Sequence, residues 1–341
     1  MKIIVDAMGG DFAPHAPVEG AVNAVKELGT NVILVGRAEV ILSCLEQLGY
    51  QEVPPGLEIV HAEDVIEVED NPATVMREKK DASMTVGLRL LKEGRGDAFI
   101  SAGSTGALLS TATLIIKRVR GIRRAALAPV IPTKTGSAVL IDCGATAECT
   151  PEYLLQFAFM GSYYAKRFLD RPKPKVGLLN IGAEPNKGTE LQRETHQLLT
   201  QAHQDDRIHF FGNVEAKEAI LGDVDVIVTD GFSGNILLKA FEGTAMYMGS
   251  LLKKTFTKRL TTKLAAMLVL KDMTQMKKTL DPNETGGTAL LGISKPVLKA
   301  HGSSNAYAIR NAVGQAINLA RSNLISDITD NIEFMRLPGI E

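Results

Sequence analysis

The chain has 341 residues, and 45% of them are apolar, so it can bury a large core as one fold or as two lobes. Its 38 basic and 39 acidic residues nearly balance, so we expect no nucleic-acid partner bound through a strongly basic surface. The three cysteines, Cys44, Cys143 and Cys149, are odd in number and are not spaced like zinc ligands. This favours reduced thiols in a cytoplasmic protein, and we expect neither a metal nor a cofactor.

The first residues, MKIIVDAMGGD, carry one lysine and a very short apolar run. They predict a first strand rather than a signal peptide. No stretch of the sequence reaches the roughly 18 uncharged apolar residues of a spanning helix. We therefore expect a chain that is not integral to a membrane, and contact with a membrane surface stays open.

Apolar runs of strand length alternate with helix-like segments along the chain. The predicted strands lie at 3–5, 32–35, 98–100, 138–141, 176–179 and 224–228. The predicted helices cover 18–28, 39–48, a segment from about 107, and 151–168. This alternation predicts an α/β fold with a mostly parallel sheet and helices on both of its faces.

Nearly every predicted strand ends in glycines and small polar residues. These loops are DAMGGD (6–11), SAGSTG (101–106), DCGATAE (142–148), NIGAEPNKG (180–188) and TDGFSGN (229–235). Because ligands of parallel sheets bind outside the carboxyl ends of the strands, we expect the five loops along one edge. Glycine there allows close approach of a ligand, and the following helix N-terminus offers free N–H groups.

The loops argue against nucleotides. SAGSTG lacks the GK[ST] ending of a P-loop, and DAMGGD lacks the GxGxxG spacing of a dinucleotide loop. Ser104 and Thr105 at a helix start suit a smaller anion such as phosphate, and they equally suit a purely structural turn. In TDGFSGN the same choice is open between an oxyanion site near Asn235 and a helix cap.

Several cations and one histidine occupy polar loops. Lys187 follows a strand in NIGAEPNKG, and the MREKKDAS segment carries Arg77, Lys79 and Lys80. Each is either a ligand for an anion or a solvated surface charge. His301 precedes a Gly-Ser-Ser helix start, a better place for chemistry than an apolar face. Because the sequence shows no nucleophile elbow and no cysteine with a histidine nearby, the substrate itself is the expected nucleophile.

The segment from about Glu242 to Leu280 is long and helical in character and interrupts the alternation. Its apolar residues share one helical face until the phase is lost near Lys271. We predict a protruding helical hairpin over 242–281 within a single α/β/α fold covering 1–341. The apolar residues expected at its tip are Leu260, Leu264, Met267 and Leu268.

Seven segments in chain order together resemble the bacterial acyl carrier protein:phosphate acyltransferases (the PlsX family). They are DAMGGD (6–11), REKKDAS (77–83), SAGSTGAL (101–108), LLNIGAEPNKG (178–188), GNVEAKE (212–218), DVIVTDGFSGNILLKAFEG (225–243) and LLGISKPVLKAHGSSNAYA (290–308). Each segment alone is weak evidence for the family, but the set is specific and covers essentially the whole chain. The sequence departs from the family at DCGATAEC (142–149), which weakens any polar role for Thr146.

The resemblance implies a phosphotransacetylase-like and isopropylmalate dehydrogenase-like α/β/α fold, a homodimer and a protruding hairpin. It implies that inorganic phosphate attacks the thioester of long-chain acyl carrier protein, giving an acyl phosphate for phospholipid synthesis. The main alternative is a phosphotransacetylase-like enzyme that uses acyl-coenzyme A. A decarboxylating dehydrogenase of the related fold and a non-catalytic membrane scaffold are more distant alternatives.

The loop positions and the resemblance together predict the site. Lys187 is expected to hold phosphate and developing charge, Asn235 to stabilise the oxyanion, and His301 to orient phosphate or protonate the leaving thiolate. The predicted phosphate- and substrate-binding residues are Arg77, Lys79, Gly103, Ser104, Thr105, Gly106, Asp6, Gly9, Gly10, Gly231, Ser233 and Gly234.

Two macromolecular contacts are also expected. Carrier protein is acidic, and a local basic run is a candidate for docking it, as are basic residues near the hairpin; a solvated helix end explains the run equally well. The run comprises Lys117, Arg118, Arg120, Arg123 and Arg124. The apolar tip and its lysines suit peripheral contact with an anionic membrane surface, and dimer packing explains much of the same apolar surface.

Overall fold

The computed structural model describes residues 1–335, which form two β-sheets covered by helices. The strands are β1 (Lys2–Asp6), β2 (Asn31–Gly36), β3 (Leu57–His61), β4 (Ala98–Ser101), β5 (Ala126–Ala128), β6 (Val130–Thr133), β7 (Gly136–Ile141), β8 (Val176–Leu179), β9 (Phe210–Val214), β10 (Val226–Val228), β11 (Gly287–Leu291) and β12 (Val297–Ala300). The helices are α1 (His15–Leu28), α2 (Ala38–Gln47), α3 (Val75–Glu78), α4 (Ser83–Lys92), α5 (Thr105–Ile115), α6 (Pro151–Phe168), α7 (Glu190–Gln204), α8 (Ala216–Leu221), α9 (Gly231–Thr257), α10 (Leu260–Leu268), α11 (Leu270–Leu280), α12 (Pro282–Thr285), α13 (Ala306–Arg321) and α14 (Leu324–Asp330), followed by a short 3-10 helix (Ile332–Met335).

The strand order is β3-β2-β1-β4-β12-β11-β5 in the first sheet and β6-β7-β10-β8-β9 in the second. Most neighbours are parallel, and β11 and β6 run antiparallel to the strands they pair with. The sheets meet where Leu140 N–H donates to Pro129 O (3.0 Å) and Cys143 N–H to Leu127 O (3.1 Å). The predicted α/β class is confirmed, and the division into two sheets adds to it.

Alternating side chains of the central strands pack against helices on opposite faces. Ile3 and Val5 join one apolar cluster, together with Val313 of α13. Ile4 points to the other face and joins a second cluster with Leu88 of α4. Because a strand with both faces buried needs apolar residues throughout, the continuous Ile-Ile-Val run of β1 fits this three-layer arrangement.

Three helices start directly at loops that follow strands, and each has a side-chain cap. Ser104 accepts a hydrogen bond from Ala107 N–H at the start of α5, and Asp230 accepts one from Ser233 N–H (2.8 Å) at the start of α9. Asn305 accepts one from Ala308 N–H (2.9 Å) at the start of α13. These caps satisfy N–H groups that have no partner inside the helix, and they fix where each helix leaves the sheet edge.

The helical hairpin is formed by α9 on one side and by α10 and α11 on the other. Its first helix begins at Gly231 rather than near Glu242, because the Asp230 cap turns GFSGN into the first helical turn. The break between α10 and α11 falls at Val269, close to the predicted loss of phase near Lys271. Within residues 1–335, none of the helices combines the length and the apolar character needed to cross a membrane.

Candidate active site

The loops that follow β1, β4 and β12 form one tightly packed edge of the first sheet. Ser101 Oγ–H donates to Asp6 Oδ2 (2.6 Å), and Asp11 N–H donates to Gly302 O (2.8 Å). A Cβ on Gly9 would lie 2.7 Å from both Asp6 Oδ2 and Gly103 N, so only glycine fits there. Burial raises the pKa of Asp6, and the hydrogen bond from Ser101 opposes that shift. These contacts hold the three loops rigidly together at this edge of the first sheet.

The loops that follow β7 and β10 form the facing edge, on the second sheet. Asp142 is buried and accepts hydrogen bonds from the N–H groups of Leu127 (2.8 Å), Ala145 (3.2 Å) and Thr146 (2.6 Å). Burial raises its pKa to about 6, and these N–H groups pull it down. A Cβ on Gly231 would lie 2.6 Å from Asp142 Oδ2, so this glycine serves close packing.

Three features of this second edge bear on the role of Thr146 and on the choice between an oxyanion site and a helix cap in TDGFSGN. Thr146 contacts Asp142 and Gly231 through its backbone, in keeping with the expected lack of a polar role for its side chain. A Cβ on Gly234 would overlap the Asp142 carbonyl oxygen, and Ser233 N–H is taken by the helix cap. The glycines and the cap of TDGFSGN thus organise the helix start, whereas Asn235 lines the space beyond it.

A cleft of about 370 Å³ lies between the two edges. Its polar lining consists chiefly of Thr105, Asn235, Lys239, Glu242, Lys299 and His301. Its apolar lining consists chiefly of Leu127, Pro129, Val130, Ile131, Leu238 and Phe241. The cleft thus has both a charged part and an apolar part.

Lys239 and His301 bring the two edges together across this cleft. Lys239 Nζ on α9 lies 2.7 Å from Glu242 Oε2 and 3.1 Å from His301 Nε2. Lys239 donates to Nε2, and on the other side of the ring Nδ1 lies 2.8 Å from Ser303 Oγ and accepts a hydrogen bond from Ser303 N–H (3.2 Å). Burial and then the charge of Lys239 lower the pKa of His301. The ring is therefore neutral near pH 7.

Lys299 supplies a second cation to the cleft from strand β12. Its Nζ donates to Ala102 O (3.2 Å) and to Ala300 O. Burial lowers its pKa to about 8, and the charges of Asp11 and Asp6 oppose the shift. Within residues 1–335 it takes part in no ion pair. A partly buried cation without a carboxylate partner is suited to hold an anionic ligand.

Cys143 also lines the cleft, and its surroundings disfavour nucleophilic catalysis. Burial raises the pKa of this thiol well above its usual value, and the charge of Asp142 raises it further. Since the thiolate is the reactive form of cysteine, this group is held in its unreactive form. The expectation that the nucleophile comes from the substrate agrees with this environment.

Of the three predicted catalytic residues, Asn235 and His301 line the cleft, and so does Thr105 of the predicted phosphate loop. Lys187 is exposed on the loop after β8 and is not among the described residues that line the cleft. Arg77 is exposed on α3, and Lys79 is engaged by Val65 O (2.8 Å) and Asp70 Oδ2 (2.5 Å).

The remaining predicted binding residues shape the loops and lie outside the described cleft lining. Gly10 has a φ of +103°, and a Cβ on Gly106 would lie 2.9 Å from Pro72 Cγ, so both positions need glycine for backbone or packing reasons. Like them, the other members of this group pack or cap the loops. They are Asp6, Gly9, Gly103, Ser104, Gly231, Ser233 and Gly234.

Sequence reasoning missed the two lysines of the cleft. Lys239 is hidden inside the helical run NILLKAFEG, and Lys299 inside the strand run VLKA. The available signal was a single lysine inside an apolar strand, because burying such a charge is costly unless it serves a ligand or a partner.

Comparison with known proteins supports an acyltransferase. The family model described as "Fatty acid synthesis protein" matches residues 1–327. The chain is 47% identical over 332 residues to a phosphate acyltransferase of Alkaliphilus oremlandii, covering 97% of each chain. It is 43% identical to the phosphate acyltransferase of Acetivibrio thermocellus, covering 100% of this chain and 99% of the relative. The chain belongs to the phosphate acyltransferase family.

Solved structures of similar fold include other acyl-transferring enzymes. A phosphotransacetylase from Streptococcus pyogenes aligns with a TM-score of 0.62 at 19% identity, covering 94% of each chain. A branched-chain phosphotransacylase from Enterococcus faecalis aligns with a TM-score of 0.57 at 16% identity, covering 94% of this chain and 100% of that one. At these identities the likeness establishes the shared fold and confirms the predicted architecture.

The geometry of the cleft suits a phosphate acyltransferase. Two lysines offer charge to an anion, and the apolar wall offers a surface to an acyl group. Acyl transfer to phosphate needs no nucleophile from the protein, because a phosphate oxygen is itself nucleophilic and a thiolate leaves readily. Holding the reactants in line and stabilising the tetrahedral oxyanion are the tasks that remain.

Proposed function

We propose that this phosphate acyltransferase moves a long-chain fatty acyl group from the thioester of acyl carrier protein to inorganic phosphate. The products are an acyl phosphate and the free carrier, and the acyl phosphate feeds the synthesis of phosphatidic acid. One observation carries the proposal: Lys239, Lys299 and a neutral His301 meet at one part of a cleft whose other wall is apolar.

The phosphate dianion is assigned to the space between Lys239 and Lys299. These side chains come from α9 and β12 and both line the cleft. Thr105 begins α5 and adds its hydroxyl and the positive end of the helix dipole. Charge-assisted hydrogen bonds from two lysines favour the dianion, which is the stronger nucleophile.

One phosphate oxygen attacks the thioester carbonyl carbon and forms a new C–O bond. The carbonyl electrons move to oxygen, and the Asn235 amide is placed to donate a hydrogen bond to this oxyanion. Collapse of the intermediate breaks the C–S bond and releases the carrier thiolate. Because His301 is neutral near pH 7 and accepts a hydrogen bond from Lys239, it orients that lysine rather than acting as a proton donor.

The apolar wall is the proposed site of the acyl chain. Leu127, Val130 and Ile131 come from β5 and β6, and Leu238 and Phe241 come from α9 on the opposite side. Burying methylene groups there stabilises the complex by about 0.8 kcal/mol for each CH₂. An acyl chain held between the sheets would place its thioester beside the cationic part of the cleft.

Lys187 and Arg77 keep a secondary role in the proposal. Both are exposed cations on elements near the carboxyl ends of strands, and both are predicted phosphate ligands. Because neither residue lines the described cleft, both act through the electrostatic field that draws anionic substrates toward it.

The hairpin is the proposed membrane tip, and the enzyme is proposed to be a homodimer on the cytoplasmic membrane surface. Leu268 is 88% exposed and Leu260 is 79% exposed, and Leu264 and Met267 are exposed beside them. Apolar side chains flanked by lysines suit insertion among anionic lipid head groups. Met246 and Tyr247 leave a further exposed apolar surface on α9, which is the proposed dimer contact.

The direct test is to incubate purified protein with palmitoyl carrier protein and phosphate. The expected product is palmitoyl phosphate, identified by mass, together with one free carrier thiol for each product molecule. A parallel reaction with palmitoyl-coenzyme A is expected to be much slower. If the coenzyme A thioester reacts faster than the carrier thioester, the phosphotransacetylase-like alternative holds.

A further inference from the structure

The last turn of α11, with Lys277 and Lys278, stands at the mouth of the cleft; we call these two lysines the hairpin base. Thr279, Leu280 and Asp281, the residues that follow directly, line the cleft. From there the chain enters β11, where Gly287 pairs with Ala300, the residue before His301. Both lysines are exposed, so their charges face solvent at the entrance.

The hairpin carries a large excess of positive charge. Between Gly243 and Leu280 the sequence has a single acidic residue, Asp272. The basic residues of the same stretch are Lys253, Lys254, Lys258, Arg259, Lys263, Lys271, Lys277 and Lys278. Within residues 1–335 none of them forms an ion pair. Such a one-sign field attracts an acidic partner and accelerates its association.

The other basic candidate, at 117–124, lies at the opposite end of the sheet; we call it the distal run. Val119 N–H donates to Gly292 O, and Ser294 N–H donates to Lys117 O, so the run packs around the turn between β11 and β12. In β11, Leu291 pairs with β5 at the amino ends of the parallel strands, whereas Gly287 pairs with Ala300 at the carboxyl ends.

Part of the charge of the distal run is already engaged. Arg123 Nε lies 3.2 Å from Glu152 Oε1, and the guanidinium of Arg124 lies 5.4 Å from the centre of the Tyr153 ring. The charges at the Arg123 and Arg124 end of the run are therefore less available to a partner than those of the hairpin base.

We propose that the acidic carrier protein docks on the hairpin base and delivers its acyl thioester into the adjacent cleft. This assignment rests on the proposed acyl transfer from a carrier protein, and it places the carrier on the face that bears Lys277 and Lys278. Acidic side chains of the carrier meet these lysines at the rim, so the contact affects association and salt dependence more than chemistry.

The test compares Lys277→Glu/Lys278→Glu with a matched double reversal, Lys117→Glu/Arg120→Glu, in the distal run. Binding of carrier protein without an acyl group is measured by fluorescence anisotropy, which does not depend on catalysis. The hairpin-base variant is expected to weaken binding by about tenfold or more at low salt and to lose most of the salt dependence. The distal variant is expected to bind like the unchanged protein.

Steady-state kinetics then tests carrier docking separately from the acyl-transfer reaction itself. With palmitoyl carrier protein the hairpin-base variant should show a raised KM and an unchanged kcat, and with palmitoyl pantetheine both constants should match those of the unchanged protein. The proposed docking face would be wrong if both variants lost the same affinity for carrier protein. It would also be wrong if the hairpin-base variant bound carrier protein as tightly as the unchanged protein.

Further outcomes separate carrier docking from membrane binding and from the proposed reaction. Loss of vesicle binding with intact carrier binding would assign the hairpin base to the membrane. If the unchanged protein binds carrier but forms no acyl phosphate, the reaction fails while the docking face stands; if it does not bind carrier, the docking face fails.

Discussion

Lys239 and Lys187 both follow strands of the second sheet, but their side chains differ in contacts and in exposure. Lys239 lies on α9, whose start is capped by Asp230, and its Nζ contacts Glu242 of the same helix and His301 of the facing edge. Lys187 lies on a polar loop with its side chain exposed, outside the described cleft lining. A lysine in a glycine-rich loop is thus a weaker indication of a catalytic role than a lysine on a helix that is held in contact with a carboxylate and a histidine.

The largest effect is expected from Lys239→Met. Removing this cation should lower kcat/KM for acyl transfer by about a hundred- to thousandfold, because it both holds phosphate and faces the developing charge. Steady-state kinetics with palmitoyl carrier protein measures the loss, and an unchanged thermal midpoint shows that the fold is intact. A variant with more than a third of the original kcat/KM would remove Lys239 from the mechanism.

Lys299→Met is expected to cost about a hundredfold at pH 7, mainly in KM for phosphate. Since the pKa of Lys299 is lowered to about 8, its charge is present below that pH and is lost as the pH rises through it. The unchanged protein should therefore show KM for phosphate rising above about pH 8, and the variant should lack that rise. An identical alkaline limb in both proteins would assign it to another group.

His301→Gln is expected to lower kcat about tenfold at pH 7, because glutamine can contact Lys239 without reproducing the ring geometry. The pKa of His301 is lowered from its usual value, so the ring takes up a proton only in the acidic range. A pH profile of the unchanged protein should contain an acidic limb that the variant lacks. If rate and profile are both unaltered, His301 is structural.

Lys187→Ala is expected to raise KM for phosphate by less than about tenfold and to leave kcat unchanged, since an exposed cation contributes mainly through its field. High salt should diminish the difference between the two proteins. A loss as large as that of Lys239→Met would instead give Lys187 the central role that its loop position first predicted.

The smallest effect on catalysis is expected from Leu264→Glu at the hairpin tip. Leu264 is exposed and lies far along the chain from the lining residues, so turnover in solution should be unchanged. Co-sedimentation with anionic vesicles should be lost, because a carboxylate in the interface is costly and repels anionic lipid. Full vesicle binding by this variant would refute the tip assignment.

The sequence predicted the elements whose signals are local. The strand at 176–179 and the helix at 151–168 match β8 and α6, since apolar runs and a proline at the first helical turn define them. The short strands β5 and β6 and the antiparallel β11 were not predicted, because their pairing depends on distant partners. The same holds for the site: Asn235 and His301 follow from loop position and the family resemblance. Lys299, whose only sequence signal is a lone lysine in an apolar run, was missed because β12 is placed by its pairing with the distant strand β4.

The central claim is that phosphate itself attacks the thioester and that no acyl-enzyme forms. The most direct measurement is rapid-quench release of carrier thiol from palmitoyl carrier protein, with and without phosphate labelled with ¹⁸O on all four oxygens. We expect release only with phosphate present, and palmitoyl phosphate that retains all the label. A stoichiometric burst of thiol without phosphate, lost in Cys143→Ala, would contradict the account and show a nucleophile on the protein.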